Sequence, residues 1–146
     1  MANINAIHTL IDLTTQQSEA AATRLGLANK ARSEAQQKLT MLEEYRNEYA
    51  QQLQDQLSQG LSSAGYANFN QFIAKLDQTI YQQQQIVQNS LYPVEKHRAD
   101  WQASERKRLS YSTLTKRAET ALRHKENKQD QKQTDEHASR IKMRRL

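Results

Sequence analysis

The chain has 146 residues, of which 36% are apolar, 25% are charged, three are glycine and one is proline. That apolar content is low for a broad globular core, yet most of the residues are strong helix formers. A coiled coil reconciles the two facts, because it buries only a narrow stripe of each helix and leaves the rest in water. Disorder is the alternative, and a sustained apolar period along the chain argues against it.

The composition also excludes several classes of protein. The chain has no cysteine, so it can form neither disulfides nor thiolate metal sites. The N-terminal sequence lacks the basic region and the long apolar stretch of a signal peptide. No apolar run approaches the roughly 20 residues that a membrane span needs. We therefore expect a soluble, cytoplasmic protein.

The net charge of +5 is unevenly distributed. Residues 1–94 contain six Lys or Arg and eight Asp or Glu, whereas residues 95–146 contain fifteen and eight. Such asymmetry suggests an acidic partner surface, nucleic acid or an anionic membrane as the ligand of the basic end. A solvated basic end with no dedicated ligand is the simpler alternative.

A helical period of apolar residues runs along the first third of the chain and predicts a helix over about residues 4–58. Eleven of sixteen positions in the series are apolar or tyrosine. The series comprises Ile4, Ile7, Ile11, Thr14, Ser18, Ala21, Leu25, Ala28, Arg32, Ala35, Leu39, Leu42, Arg46, Tyr49, Leu53 and Gln56.

A second series predicts a helix over about residues 69–125, followed by a polar, basic tail at 126–146. Ten of its sixteen positions are apolar or aromatic. They are Phe69, Ile73, Leu76, Ile80, Gln83, Val87, Ser90, Val94, His97, Trp101, Ser104, Arg108, Tyr111, Thr115, Ala118 and Leu122. Pro93 should kink this helix near Ser90–Tyr92, because proline removes a backbone donor and clashes with the preceding turn.

The two helices should form a long antiparallel hairpin, because residues 59–68 contain two glycines, paired serines and an asparagine, which are typical of a turn. The whole chain then makes a single coiled-coil domain of the all-α class. If the turn centres near Ser63, facing residues have numbers that sum to about 127, and Trp101 lies opposite Gly26. A tryptophan opposite a glycine satisfies the need for complementary volumes in a seam.

The sequence contains no recognisable active site. The four histidines are scattered without metal-ligand spacing, no glycine-rich phosphate loop is present, and adjacent acidic residues lie on exposed helix faces. We therefore expect no enzymatic activity, catalytic residue, metal, cofactor or small-molecule ligand. Nucleic acid is also disfavoured, because no aromatic residue follows Tyr111 and acidic residues interrupt the basic tail.

Aromatic residues beside the seam are the informative feature. Leu42, Tyr45 and Tyr49 follow one another at i, i+3 and i+7, while Phe72 and Leu76 are four residues apart. We call these five residues the aromatic patch. A two-helix seam is too narrow to bury them all, so part of this surface should stay exposed, as in interface hot spots.

Three segments resemble the flagellar FliJ family: QQKLTMLEEYRNEY (Gln36–Tyr49), NFNQFIAKLDQTI (Asn68–Ile80) and ENKQDQKQTDEHASRIKMRR (Glu126–Arg145). The last contains a DQK-x-x-DE-x-A pattern typical of the family. The resemblance covers nearly the whole chain and implies an antiparallel two-helix coiled coil similar to the central stalk of rotary ATPases. It implies a non-enzymatic, cytoplasmic component of the flagellar type III export apparatus, peripherally associated with the cell membrane.

The resemblance also implies three partners: the ring of the export ATPase (FliI), the cytoplasmic domain of the export-gate membrane protein (FlhA) and the flagellar export chaperones. Carried over by position, the gate-binding residues are Leu42, Tyr45, Tyr49, Phe72 and Leu76. The family pattern extends to positions 38, 79 and 83, where Lys38, Thr79 and Gln83 replace the usual Gln, Ala and His. The ATPase-binding region is the start of the first helix plus the basic tail. Arg123, Arg140 and Arg144 are the candidate residues near this end of the chain, and we call these three the basic end.

Two alternatives from other classes remain at this point. One is a general coiled-coil chaperone that wraps export substrates without the ATPase. The other is a basic nucleic-acid-binding coiled coil, whose affinity would fall steeply with salt.

Overall fold

The structure is a computed structural model that describes residues 2–145, with the side chains of residues 4–145. Within that range all regular secondary structure is helical: α1 is Ala2–Gln59, α2 is Ser63–Asn89 and α3 is Leu91–Arg144. The predicted all-α class is therefore confirmed.

The chain forms two compact units. The turn unit is Ala20–Trp101, and the terminal unit combines Met1–Glu19 with Gln102–Leu146. In the turn unit Arg46 pairs with Asp77, and Ala35 contacts Gln83. In the terminal unit, residues 8 and 18 of α1 pair with residues 119 and 105 of α3. Within each unit, higher residue numbers on α1 pair with lower residue numbers on the other helix. The paired helices are therefore antiparallel within each unit, as in the predicted hairpin.

The two predicted apolar series coincide with the buried stripes of the helices. Every residue of the second series is buried or half-buried, and in the first series only Arg32 and Gln56 are exposed. Most other residues of the helices are exposed. This pattern is that of a coiled coil, in which each helix buries a single narrow stripe.

The turn is shorter than predicted. Only Gly60–Ser62 separate α1 from α2, so the second helix begins at Ser63 and not at residue 69. Gly60 ends α1 with a φ of +92°, a left-handed conformation that favours glycine. The Ser62 hydroxyl accepts a hydrogen bond from the Gly65 N–H at 3.1 Å and caps α2. The serine pair therefore starts the helix, and Asn68 lies inside it.

The shorter turn also changes the register of the turn unit. Contacting residues across the seam have numbers that sum to about 120, against the predicted 127. The predicted packing of Trp101 on Gly26 is wrong. Gly26 is exposed, and no side chain lies within 4 Å of the position that a Cβ would take there. The turn centres near residue 61, and the smaller sum moves each partner by about seven residues, or about two helical turns.

The helix after the turn is interrupted near Pro93. Proline lacks the N–H that would bond the carbonyl four residues earlier, and its ring crowds that carbonyl. Helix α2 accordingly ends at Asn89, and α3 begins at Leu91. Between them Ser90 keeps helical angles, and its N–H donates to the carbonyls of Ile86 at 3.0 Å and Val87 at 3.2 Å. The interruption thus lies at Ser90.

A buried glutamine crosses the seam of the turn unit. Gln83 is 4% exposed, and its Nε2 donates a hydrogen bond to the backbone carbonyl of Ala35 at 2.9 Å. Around it the seam is aliphatic, with Ala21, Leu39, Leu53, Leu76 and Val94 buried. A single polar residue in such a seam fixes the register, because only one alignment satisfies its hydrogen bond.

The seam of the terminal unit is more polar. Thr14, Ser18 and Thr115 are all buried. Each threonine hydroxyl donates to a carbonyl of its own helix at 3.0 Å, and the Ser18 hydroxyl donates to the carboxylate of Glu105. The buried hydroxyls are therefore satisfied, but they provide little hydrophobic stabilisation.

Glu105 is the most strongly perturbed acid of the terminal unit. Arg108 donates to it from Nε at 3.1 Å and from a terminal nitrogen at 2.8 Å, and Ser18 adds a third bond. The hydrogen bonds from Arg108, and then from Ser18, lower the pKa of Glu105 from 4.5 to about 2. The same pairing raises the pKa of Arg108. Both ionised forms are stabilised by this cluster.

The C-terminal part of α3 has no packing partner in the described chain. Every residue from 123 to 145 is exposed, yet the helix continues to Arg144. The predicted tail of residues 126–146 is thus helical as far as residue 144, and it forms a polar extension of α3.

We expect Gln83→Ala to lower the free energy of unfolding by about 1–3 kcal/mol, because it removes a buried hydrogen bond and buried side-chain volume. Gln82→Ala is the matched control, since Gln82 is the exposed neighbour on the same turn. It should change the stability by less than about 0.5 kcal/mol. Urea unfolding followed by circular dichroism measures both. Equal effects of the two substitutions would contradict the assigned role of Gln83.

We expect Glu105 to make stability depend on pH in the acidic range. Its pKa is lower in the folded chain, so its contribution is complete above about pH 4.5 and disappears as the pH falls towards 2. Glu105→Gln removes this titration. The melting temperature of that variant should therefore fall less than the wild-type value between about pH 5 and about pH 2. Glu126→Gln, an exposed acid on the same helix, should behave like the wild type. Parallel curves for Glu105→Gln and wild type would rule out the cluster as the cause.

Candidate partner-binding surfaces

The turn unit brings together aromatic residues from both of its helices. Tyr49 of α1 lies with its ring centroid 4.8 Å from that of Phe69 and 4.5 Å from that of Phe72, both on α2. Tyr45 contacts Tyr49 at 6.4 Å and Phe72 at 6.2 Å, the latter edge to face with an interplanar angle of 85°. We call these four residues the aromatic cluster. Aromatic pairs at such distances add stability beyond the area that they bury.

The burial of the aromatic patch divides it into a base and a surface. Leu76 is buried, and Leu42 and Tyr49 are half-buried, so these three belong to the seam. Tyr45 and Phe72 are 47% and 36% exposed. These three seam residues thus support the two exposed rings, which remain in contact with each other. Such supported, partly exposed aromatics are well suited to bind a protein partner, because little side-chain entropy remains to be lost.

An ion pair flanks the aromatic cluster. Arg46 Nε lies 2.8 Å from a carboxylate oxygen of Asp77, and the two residues neighbour Tyr45 and Leu76 in sequence. The hydrogen bond from Arg46 to Asp77, together with their charge attraction, raises the pKa of Arg46. Both side chains are substantially exposed, so the pair contributes little stability on its own. It links α1 to α2 beside the exposed rings and helps to fix their position.

Position within the seam decides which side chains near the patch can reach a partner. The sequence predicts Phe69 as a seam residue, and the structure shows that it also belongs to the aromatic cluster. Its spacing of three residues from Phe72 is the sequence feature that could have indicated this. Of the three positions that depart from the family pattern, Lys38 and Thr79 are exposed. Gln83 is buried under the Ala35 carbonyl. In this chain position 83 therefore belongs to the seam.

The basic end lies far along α3, in the terminal unit. Arg123, Arg140 and Arg144 are exposed, and none makes an ion pair or hydrogen bond to a described residue. Ile141 and Met143 are exposed beside them, 41% and 77% respectively. Unpaired cations on a solvated helix can bind an acidic surface without first breaking an internal contact.

Neither a metal site nor a membrane span is found in the part of the chain that the structure describes. No group of three or more His, Cys, Asp or Glu side chains between residues 2 and 145 could hold a metal ion. Among the described helices, none is long and apolar enough to cross a membrane.

Comparisons with known proteins find similarity along nearly the whole chain. A model of the family described as flagellar FliJ protein matches residues 4–146. Two curated proteins of that name are similar to the chain over 145 residues, with 99% of each chain covered. The one from Escherichia coli K12 is 34% identical and the one from Salmonella typhi is 32% identical.

Among solved structures, a YscO homologue from Chlamydia trachomatis covers 97% of this chain and 91% of its own, at 13% identity and a TM-score of 0.48. The chain belongs to the flagellar FliJ family, whose members are components of flagellar protein export.

Proposed function

We propose that the protein is a non-enzymatic link in the flagellar type III export apparatus, similar to the central stalk of a rotary ATPase. In this proposal it binds and activates the ring of the export ATPase (FliI) and connects it to the cytoplasmic domain of the export-gate protein (FlhA). It acts in the cytoplasm, at the membrane face of the flagellar base. Family membership supports the export role, and the two surfaces described above support the link.

The exposed contact between Tyr45 and Phe72 is the observation that carries the proposal. Both rings remain accessible although Tyr49, Leu42 and Leu76 beneath them are in the seam. Exposed aromatics lower the solubility of the free protein, so two exposed rings held in contact on a mostly polar surface favour a binding role. The aromatic patch is our candidate for the gate-binding surface.

The basic end is our candidate for ATPase binding. Arg123, Arg140 and Arg144 project from the C-terminal part of α3, which packs on nothing else in the described chain. A single slender helix can enter a ring of subunits, where a globular domain would not fit. Its charge favours an acidic partner surface and fast association.

Export chaperones are the third proposed class of partner. Tyr81 and Tyr92, at 62% and 70% exposed, lie in the turn unit outside the aromatic patch. They offer apolar contact area that would remain available if the patch were occupied. We assign the chaperones no further residue.

We expect Tyr45→Ala to weaken binding to the gate domain by about 1–3 kcal/mol, the range of interface hot spots, and to leave the helical content unchanged. Phe72→Ala should act similarly, because it removes the edge-to-face support of Tyr45. Tyr81→Ala is the control, since it removes a still more exposed ring elsewhere on α2. Calorimetric titration of the purified gate domain measures all three. Wild-type affinity of both patch variants would remove the patch from the proposal.

We expect a chain that ends at residue 125 to lose stimulation of the ATPase and to keep its affinity for the gate domain. The deletion removes two of the three candidate arginines, and residues 126–145 are all exposed, so the remaining coil should fold normally. Arg140→Glu with Arg144→Glu should reproduce most of the loss, because the charge change is local. Lys128→Glu with Lys132→Glu is the matched control. An equal loss of both activities on truncation would argue against separate binding surfaces.

A further inference from the structure

A shallow hollow beside Tyr45 carries an inference about the partner's chemistry. It has a volume of about 490 Å³ and is lined by Lys38, Met41, Leu42, Glu44, Tyr45 and Glu48. Met41 is 68% exposed, so the floor of the hollow offers an unpartnered thioether next to the exposed tyrosine ring. Methionine adapts to irregular partners and contacts aromatic groups favourably, which suits an accommodating surface. All of these residues belong to the turn unit.

Two acidic side chains border the hollow on the side nearer the turn. Glu44 and Glu48 are exposed and four residues apart, so they lie on one face of α1 with Tyr45 between them in sequence. Neither forms an ion pair or hydrogen bond with a described residue. Asp77, close to the same cluster, is neutralised by Arg46. Like charges at a spacing of four residues destabilise a helix, so this pair works against the stability of the free chain.

The two ends of the hollow carry charges of opposite sign. Lys38 is its only basic residue, and it lies ten residues before Glu48, about 15 Å along the helix. The end nearer the turn is therefore acidic, and the opposite end is basic. A bound segment that matches this order has a cation beside Tyr45 and a neutral or acidic group beside Lys38. An aromatic ring next to two carboxylates is a favourable site for a cation, because ring and carboxylates attract the same charge.

We propose that the export-gate domain binds this hollow with an apolar side chain on Met41 and a lysine or arginine held by Glu44, Glu48 and the Tyr45 ring. The inference rests on the proposed function of the aromatic patch and specifies the chemistry of its partner. Charge complementarity selects the occupant: the repulsion between Glu44 and Glu48 is relieved only by a cation. The acidic pair then serves to select the partner and to speed its association.

The test measures the affinity of the purified gate domain for the full-length protein at two salt concentrations. Glu44→Lys with Glu48→Lys reverses the charge but keeps a like-charged pair, so helix stability should be matched to the wild type. Binding should weaken about tenfold at about 0.1 M salt, where charges interact over about 10 Å. The difference should nearly vanish at about 1 M salt, where that distance falls to about 3 Å. Tyr45→Ala should weaken binding at both concentrations. Glu34→Lys with Glu95→Lys is the control for total charge, since both residues are exposed outside the hollow.

The outcomes separate this inference from the function on which it rests. If Tyr45→Ala weakens binding and the charge reversal does not, the aromatic patch binds the gate domain, and the proposal that the hollow holds a cation is refuted. If neither variant weakens binding, the patch itself is not the gate surface. The chain's own basic end is a competing occupant, because exposed Ile141 lies among arginines there. Self-association of the wild type that the charge reversal abolishes, measured by sedimentation, would assign the hollow to a second copy and overturn the proposal.

Discussion

A helix in a two-helix coil has a single neighbour, and that limit governs this protein. Each helix can bury only one stripe, so the seam takes small, aliphatic and even polar residues while other apolar side chains remain outside it. Tyr49 and Leu76 occupy the stripe, and Tyr45 and Phe72, one position away from it, are left partly exposed. The binding surface is thus a consequence of the architecture: a third helix would have buried these rings, and a coil of two presents them.

Because apolar burial alone would allow neighbouring alignments of such a seam, polar contacts decide the register. Gln83 donates to the Ala35 carbonyl, and Arg46 pairs with Asp77 beside the aromatic cluster. In the terminal unit Ser18 of α1 bonds Glu105 of α3 across the seam. These contacts add modest stability, but each is satisfied in one alignment only. The exposed rings therefore keep a defined geometry even though the protein has no broad core.

The sequence predicted the buried stripes well and the turn poorly, for physical reasons. A heptad period is repeated many times, so isolated polar positions such as Gln83 and Ser18 do not hide it. The start of α2 depends on a single hydrogen bond to Ser62, and the turn contains several serine and asparagine residues, all of which are favoured at helix starts. The error of a few residues shifted the register and produced the wrong pairing of Trp101 with Gly26. The spacing of the aromatic residues was enough to predict that part of the patch is exposed. The burial of Gln83 and the membership of Phe69 in the aromatic cluster depend on which residues face each other, and the sequence did not predict that alignment correctly.

The central claim is that two separate surfaces of one chain bind two partners at once, and recruitment of the ATPase to an immobilised gate domain tests it most directly. The gate domain is fixed to a sensor surface, the protein is bound to it, and the export ATPase is added in solution. Our account predicts a further increase in bound mass that requires the protein and is lost when the chain ends at residue 125. Release of the protein from the gate domain on addition of the ATPase would contradict the account, because it would mean that the two partners compete for the same surface.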